Sequence, residues 1–429
     1  MINERFDGAV LAPGTPGYDT ARRPANPAYQ RVLPRLVARC GSVADVVRTV
    51  RYAARTGERL APRGGGHCFA GRSSTTGILL DLADLDDIAV AGDGTAVIGA
   101  GAQLGQVYAA LHTRGRTLPA GCGPTVGIAG LTLGGGIGLL GRRFGLTCDR
   151  LIGAEVVLAD GSVVDCDEDR HPDLFWALRG AGGGQFGVVT ALRFATVAEP
   201  VAIRVEAHRS GGPDRIATLV ADWQAWAPEA PDGLTVNLTV VAEPGRPLRA
   251  SLFGASLLDA GTTRRLLAVV AGEPVTLTAG RPFHEVKAGF ADLDPPARAS
   301  RIRSEFFTDP LPTPVLAALL TGSADPPSRR ELGFTTMGGA YDRVDADATA
   351  FAHRGQRFLL EHVGEPDDAW VDESWTTAHA HGSGRVYPNF PDPALPDWAA
   401  AYHAENHARL VAVKQTYDPH RFFHFPQSV

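Results

Sequence analysis

The sequence predicts an α+β fold in two parts, and three observations carry that expectation. Up to about Ala195, short apolar strands alternate with helical periods and are interrupted by two glycine-dense loops. From about Pro200 the texture changes to longer segments of apolar and polar alternation, the mark of half-buried antiparallel strands. At 429 residues the chain is long enough for two domains that each bury a core.

Taken in order, residues 1–30 hold Pro13, Gly14, Pro16, Gly17, Pro24 and Pro27 among polar neighbours and read as an irregular arm. Residues 36–40 form a short apolar strand. Apolar side chains at Val43, Val46, Val47, Val50 and Ala53 then follow a helical period, with Ser42 placed as N-cap and Gly57 as the stop. Residues 78–82 and 95–99 are strands, Gly92-Asp93-Gly94 makes the turn before the second, and 104–112 is a helix. Residues 155–158 form a strand closed by Asp160-Gly161. In the second part, 202–207, 234–240 and 249–254 alternate as strands, while 216–223 and 262–270 carry helical spacing, which describes a sheet covered by helices. The proline-rich stretch 285–330 is less regular in pattern and says little about its structure, and 351–363 returns to a strand pattern.

Chemistry concentrates in the two glycine loops. Arg63-Gly64-Gly65-Gly66-His67 is followed by Cys68 and the serines Ser73 and Ser74. Consecutive glycines remain in a folded chain where the backbone approaches something closely or takes positive φ. Their N–H groups can form a concave nest for an anion, with Arg63 and the serines as further donors, which suits a diphosphate. A tight turn beside a satisfied surface histidine is the alternative. The second loop contains Cys122, Gly123, Thr125, Val126, Gly127, Gly130, Gly134, Gly135, Gly136 and Gly138. Elsewhere, Glu361 shares a strand face with Leu359 and Val363, an apolar setting that would raise a carboxyl pKa and fit it for acid or base work; an ordinary solvated glutamate is the alternative. Tyr387 opens a Tyr-x-Asn motif with Asn389, and a nearby cation or the positive edge of a bound group would lower its phenol toward general-base use. A buried tyrosine with a satisfied hydroxyl competes with that reading.

Composition closes off other classes. A net charge of −6 provides no basic footprint for nucleic acid. No apolar run approaches the length needed to span a bilayer, and the first residues lack a signal-peptide pattern, so the expected address is the cytoplasm, without a membrane partner. Five scattered cysteines form neither a disulfide framework nor a CxxC pair, and no metal-ligand spacing is present. There is no GxSxG elbow, no P-loop, and no GxGxxG in a βαβ context.

The two glycine loops, together with Asp173-Leu174-Phe175-Trp176-Ala177-Leu178-Arg179-Gly180, Gly182-Gly183-Gly184-Gln185-Phe186-Gly187-Val188-Val189-Thr190, Tyr387-Pro388-Asn389-Phe390 and Asn406-His407-Ala408-Arg409-Leu410, resemble the berberine bridge enzyme-like flavoproteins of the vanillyl-alcohol-oxidase superfamily. The resemblance touches both ends of the chain. It implies an FAD-binding domain of the PCMH type with two subdomains (residues 1–199, core 32–199), an antiparallel substrate domain (200–384), and a C-terminal segment (385–429) that rejoins the first domain. It further implies FAD bonded covalently to His67 and contacted by Arg63, Gly64, Gly65, Gly66, Ser73, Thr125, Val126, Gly127, Gly130, Gly135, Gly138, Val189, Asn389 and Asn406, with Tyr387 and Glu361 as catalytic residues. The sequence departs from the family at Gly123, where many members carry a second flavin-bonding cysteine: here Cys122 sits one residue early, so a single bond through His67 is expected, with a register slip that makes Cys122 a second attachment as the alternative. Leu131 likewise stands where many relatives have a histidine. His353-Arg354 resembles a structural pair. The implied activity is oxidation of a small alcohol, amine or phenol, with Val126 and Gly127 leaving room for dioxygen as reoxidant and hydrogen peroxide as product. Oxidation-triggered cyclisation and small-molecule sequestration are the competing readings; a monomer or homodimer is expected.

Overall fold

The computed structural model describes residues 6–270, 275–291 and 298–429. Two small sheets carry the first part. Strands Leu36–Arg39, Ile78–Asp81 and Leu60–Arg63 lie parallel in that spatial order, and Ala9–Leu11 adds an antiparallel edge, so the arm is more regular than its prolines suggest. The intervening helix is Val43–Thr56. Ser42 caps it by accepting from the Asp45 N–H, and Gly57 ends it at φ 69°. Pro62 is tolerated because Leu60–Arg63 is an edge strand. The second sheet is antiparallel, in the order Ile88–Val90, Thr95–Gly99, Val188–Ala195, Leu151–Val157, Val163–Cys166. Leu80, Ile98, Leu111 and Phe194 of this part share one core with Leu410, Val413 and Phe423, so the end of the chain packs into the first part.

Seven antiparallel strands form the third sheet, in the order Thr276–Pro282, Val201–Gly211, Leu248–Ser256, Leu234–Ala242, Arg330–Thr336, Phe358–Gly364, Arg301–Phe307. Alternation divides its faces. Val236, Leu238, Val240 and Phe334 join a core with Trp223, Leu316 and Leu319 from helices Pro213–Trp226 and Thr313–Ser323. The intervening Asn237 and Thr335 fall on the opposite face, toward the first part.

The stretch of less regular pattern is ordered where it is described, with helix Phe283–Ala291, strand Arg301–Phe307 and helix Thr313–Ser323; residues 292–297 lie outside the described residues. Alternation fails as a signal at Arg301–Phe307 because buried Arg303 and Glu305 pair with Asp392 and His379. The strand expected at 351–363 begins only at Phe358. Before it, Arg354 turns to a bidentate pair with Asp149, at 2.7 and 3.0 Å, both side chains buried. The paired Arg354 thus ties the loop to the first part.

Candidate active site

A cavity of about 810 Å³ runs from the glycine loops to the polar face of the seven-stranded sheet, within the roughly 300–1,000 Å³ usual for small-molecule sites. Of the expected residues, Arg63, Gly64, Gly65, Gly66, His67, Ser73, Val126, Gly127, Gly130, Gly138, Val189, Glu361, Tyr387 and Asn389 line it. Thr125 stands behind this wall, its Oγ1 at 3.0 Å from His67 Nε2, so it orients the imidazole from the second loop.

The loops explain their own glycines in part. A Cβ on Gly65 would lie 2.2 Å from the Gly127 nitrogen, and one on Gly127 would lie 2.3 Å from the Gly65 nitrogen. These two positions are therefore needed for one loop to touch the other. Gly66, at φ 75°, needs its glycine for conformation.

Tyr387 is buried at the cavity wall. Its Oη accepts from the backbone N–H of Gly136 (3.1 Å) and Ile137 (3.2 Å) and from Asn389 Nδ2 (3.0 Å). Burial pushes the phenol up to about 12, opposed by these three N–H donors. Across the cavity, Glu361 is half-buried on strand Phe358–Gly364, beside Leu359 and opposite Gly333. Burial, followed by the charge of Glu331, raises its carboxyl to about 8, against a distant Thr335 hydroxyl at 3.5 Å. Burial rather than a wholly apolar wall sets this value, because Asn237 and Thr335 share the face. Asn237, Phe253 and Thr335 extend the same wall.

Two expected contacts, Asn406 and Gly135, are corrected, and a third residue, Arg63, has its guanidinium engaged by the protein. The buried Arg63 guanidinium donates to the carbonyls of Ala21, Arg22 and Arg23 and pairs with Asp81 at 3.4 Å, so its side chain locks the arm while the residue itself lines the cavity. Asn406 Nδ2 donates to the carbonyls of Ala346 (2.8 Å) and Thr349 (3.1 Å), away from the cavity. Gly135 does not line the cavity: at φ 111° it makes room for Phe351, whose ring would lie 2.7 Å from a Cβ there. Cys122 does line the cavity, next to Gly123, and the carbonyl before it is fixed by Tyr108 Oη at 3.2 Å and by Lys287 Nζ. Sequence reasoning missed Lys287, which lies in the stretch that looked irregular. It also missed the N–H pair of Gly136 and Ile137, for which the glycine run was the available signal.

The walls suit a dinucleotide. Ser73 and Ser74 present buried hydroxyls with no hydrogen-bond partner among the described residues, both on the cavity. Gly182, Gly183 and Gly184 line it with space where a Cβ would stand, no atom approaching within 3.6 Å. Polar groups awaiting a partner and bare backbone are what a phosphate-bearing ligand requires.

Comparison with known proteins agrees. A family model described as FAD binding domain matches residues 34–167, and one described as Berberine and berberine like matches 386–429. An uncharacterised FAD-linked oxidoreductase of Bacillus subtilis (strain 168) is 32% identical over 100% of this chain and 98% of its own length. A chitooligosaccharide oxidase of Gibberella zeae is 30% identical over 92% of this chain and 87% of its own. The solved structure of Physcomitrella patens BBE-like 1 superposes with a TM-score of 0.90 at 25% identity, covering 99% of this chain and 97% of that one. The chain belongs to the berberine bridge enzyme-like family of FAD-linked oxidoreductases.

Proposed function

We propose that the protein is an oxidase of a small alcohol, amine or phenolic compound, with FAD bonded covalently through His67 alone. The observation that carries the reading is that His67, Tyr387, Asn389 and Glu361 share one cavity with both glycine loops. Bound FAD would supply the hydride acceptor, with dioxygen as terminal oxidant and hydrogen peroxide as product. Gly64, Gly66, Gly130 and Gly138 bring backbone to the cofactor side, Ser73 and Ser74 offer hydroxyls to its phosphates, and Thr125 steadies the His67 ring. Tyr387 accepts the substrate proton at Oη. Glu361, protonated at neutral pH, donates a hydrogen bond to the substrate from the opposite wall. Residues 1–199 and 385–429 form the FAD-binding domain in this reading, and residues 200–384 the substrate domain.

The test begins with the purified chain on a denaturing gel. Flavin fluorescence that stays with the denatured band, and an intact mass raised by one FAD, are expected. The signal should vanish in His67→Ala and persist in Cys122→Ala; loss in Cys122→Ala instead would move the bond to that residue. Peroxide release on screening alcohols, amines and phenols should fall by about a hundredfold or more in Tyr387→Phe, the usual contribution of a general base. Substrate turnover without peroxide would refute the oxidase assignment.

A further inference from the structure

Among the described residues, the oxygen of Tyr387 is held by donors only. Gly136 and Ile137 supply successive backbone N–H groups, and Asn389 supplies a third from its carboxamide. Consecutive N–H groups converge on one point when the chain turns through left-handed conformations, and Gly135 (φ 111°) and Gly136 (φ 84°) make that turn. Such a nest is an anion site.

A neutral phenol has two lone pairs and a proton that needs an acceptor. The three groups bonded to Tyr387 Oη among the described residues all donate, an arrangement that favours the ionised oxygen over the neutral phenol and opposes the effect of burial. The orientation of Asn389 follows from its other contact. Nδ2 also donates to the Leu131 carbonyl at 2.9 Å, and a carbonyl can only accept, so the NH₂ end faces Tyr387. Room for this carboxamide comes from Gly134, where a Cβ would lie 2.2 Å from Asn389 Oδ1. The run of three glycines thus has separate duties: Gly134 admits Asn389, and Gly135 and Gly136 turn the chain so that two N–H groups meet the phenol.

We propose that Gly134, Gly135, Gly136, Ile137 and Asn389 form a phenolate cradle for Tyr387, with Asn389 as its positioning residue. The proposal rests on the proton-accepting role given to Tyr387 above, and it places the source of that role in oriented N–H dipoles rather than in a neighbouring cation. Burial and the cradle act in opposite directions on the phenol, so removing one donor should be visible as a change in its titration.

The experiment places a fluorinated tyrosine at position 387 of the flavin-loaded protein, which lowers the intrinsic phenol pKa into the range where the chain stays folded. The fluorine resonance then reports ionisation without any substrate. In Asn389→Leu the midpoint should rise by about one pH unit, the worth of a hydrogen bond to a charged oxygen. Gly134→Ala should raise it in the same direction while keeping the carboxamide, because the added methyl displaces Asn389. Retained flavin and an unchanged near-ultraviolet dichroism spectrum establish that each variant is folded. Midpoints in both variants that coincide with the wild-type value would overturn the cradle. Undiminished peroxide formation in Tyr387→Phe would overturn the proton-transfer role separately, since the fluorine titration does not read turnover.

Discussion

Replacing Glu361 by Gln should stabilise the protein in alkali and leave it unchanged in acid. The carboxyl sits at about 8 in the folded chain against an ordinary 4.5, a raised value whose first cause is burial and whose second is the charge of Glu331. Between those two values the folded state holds a proton that the unfolded state has released, so stability falls as pH rises through that window. Above about 8 both states are ionised and the penalty is complete. At about 1.4 kcal/mol per unit the full span would be worth about 5 kcal/mol. Because the side chain is half-buried rather than sealed, we expect about 2–4 kcal/mol at pH 9. Glutamine keeps the shape and removes the charge. Urea denaturation of wild-type and Glu361→Gln proteins at pH 4 and pH 9 measures the difference directly. A stability difference that is the same at both pH values would refute the buried-acid account. A Glu331→Gln variant should shrink the difference, since it removes the second cause.

Two further outcomes follow from the same physics. His353, His362 and His403 are buried and held neutral, each lowered to about 3 by burial, so their contribution runs the other way: stability should fall as pH drops from about 6.5 toward 3, by about 1.4 kcal/mol per pH unit for each residue, read as a declining Tm. A Tm that is flat between pH 6.5 and 4.5 would contradict it. Arg354→Met should destabilise the protein by about 3–5 kcal/mol, because it leaves the buried Asp149 carboxylate without its bidentate partner, and Asp149→Asn added to it should recover part of the loss in a double-mutant cycle.

The elements legible in the sequence are those whose physics is local. Ser42 and Gly57 bound their helix because an N-cap and a left-handed stop act within one turn, and strands 234–242 and 248–256 announce themselves because one face is apolar and the other is not. Arg301–Phe307 stayed hidden for the opposite reason. Its inward charges are tolerated only because Asp392 and His379, from 74 to 89 positions away, come to meet them, and no local pattern records that.

The site divides along the same line. His67, Tyr387, Asn389 and Glu361 could be singled out because residue type and motif spacing reflect the chemistry they can perform. Arg63 and Asn406 carry equally suitable groups, yet their partners, the arm carbonyls at 21–23 and the loop carbonyls at 346 and 349, are set by tertiary packing. A donor near a glycine loop is therefore weak evidence of a ligand contact until the buried carbonyls around it have been counted, since an unsatisfied buried carbonyl competes for it with a force comparable to that of a ligand. The glycines show the converse. Gly65, Gly127, Gly134 and Gly135 looked alike in sequence, but each answers to a different neighbour: the opposing loop for the first two, a carboxamide for the third, and the Phe351 ring for the last. Close approach is legible from a glycine; the identity of what approaches is not.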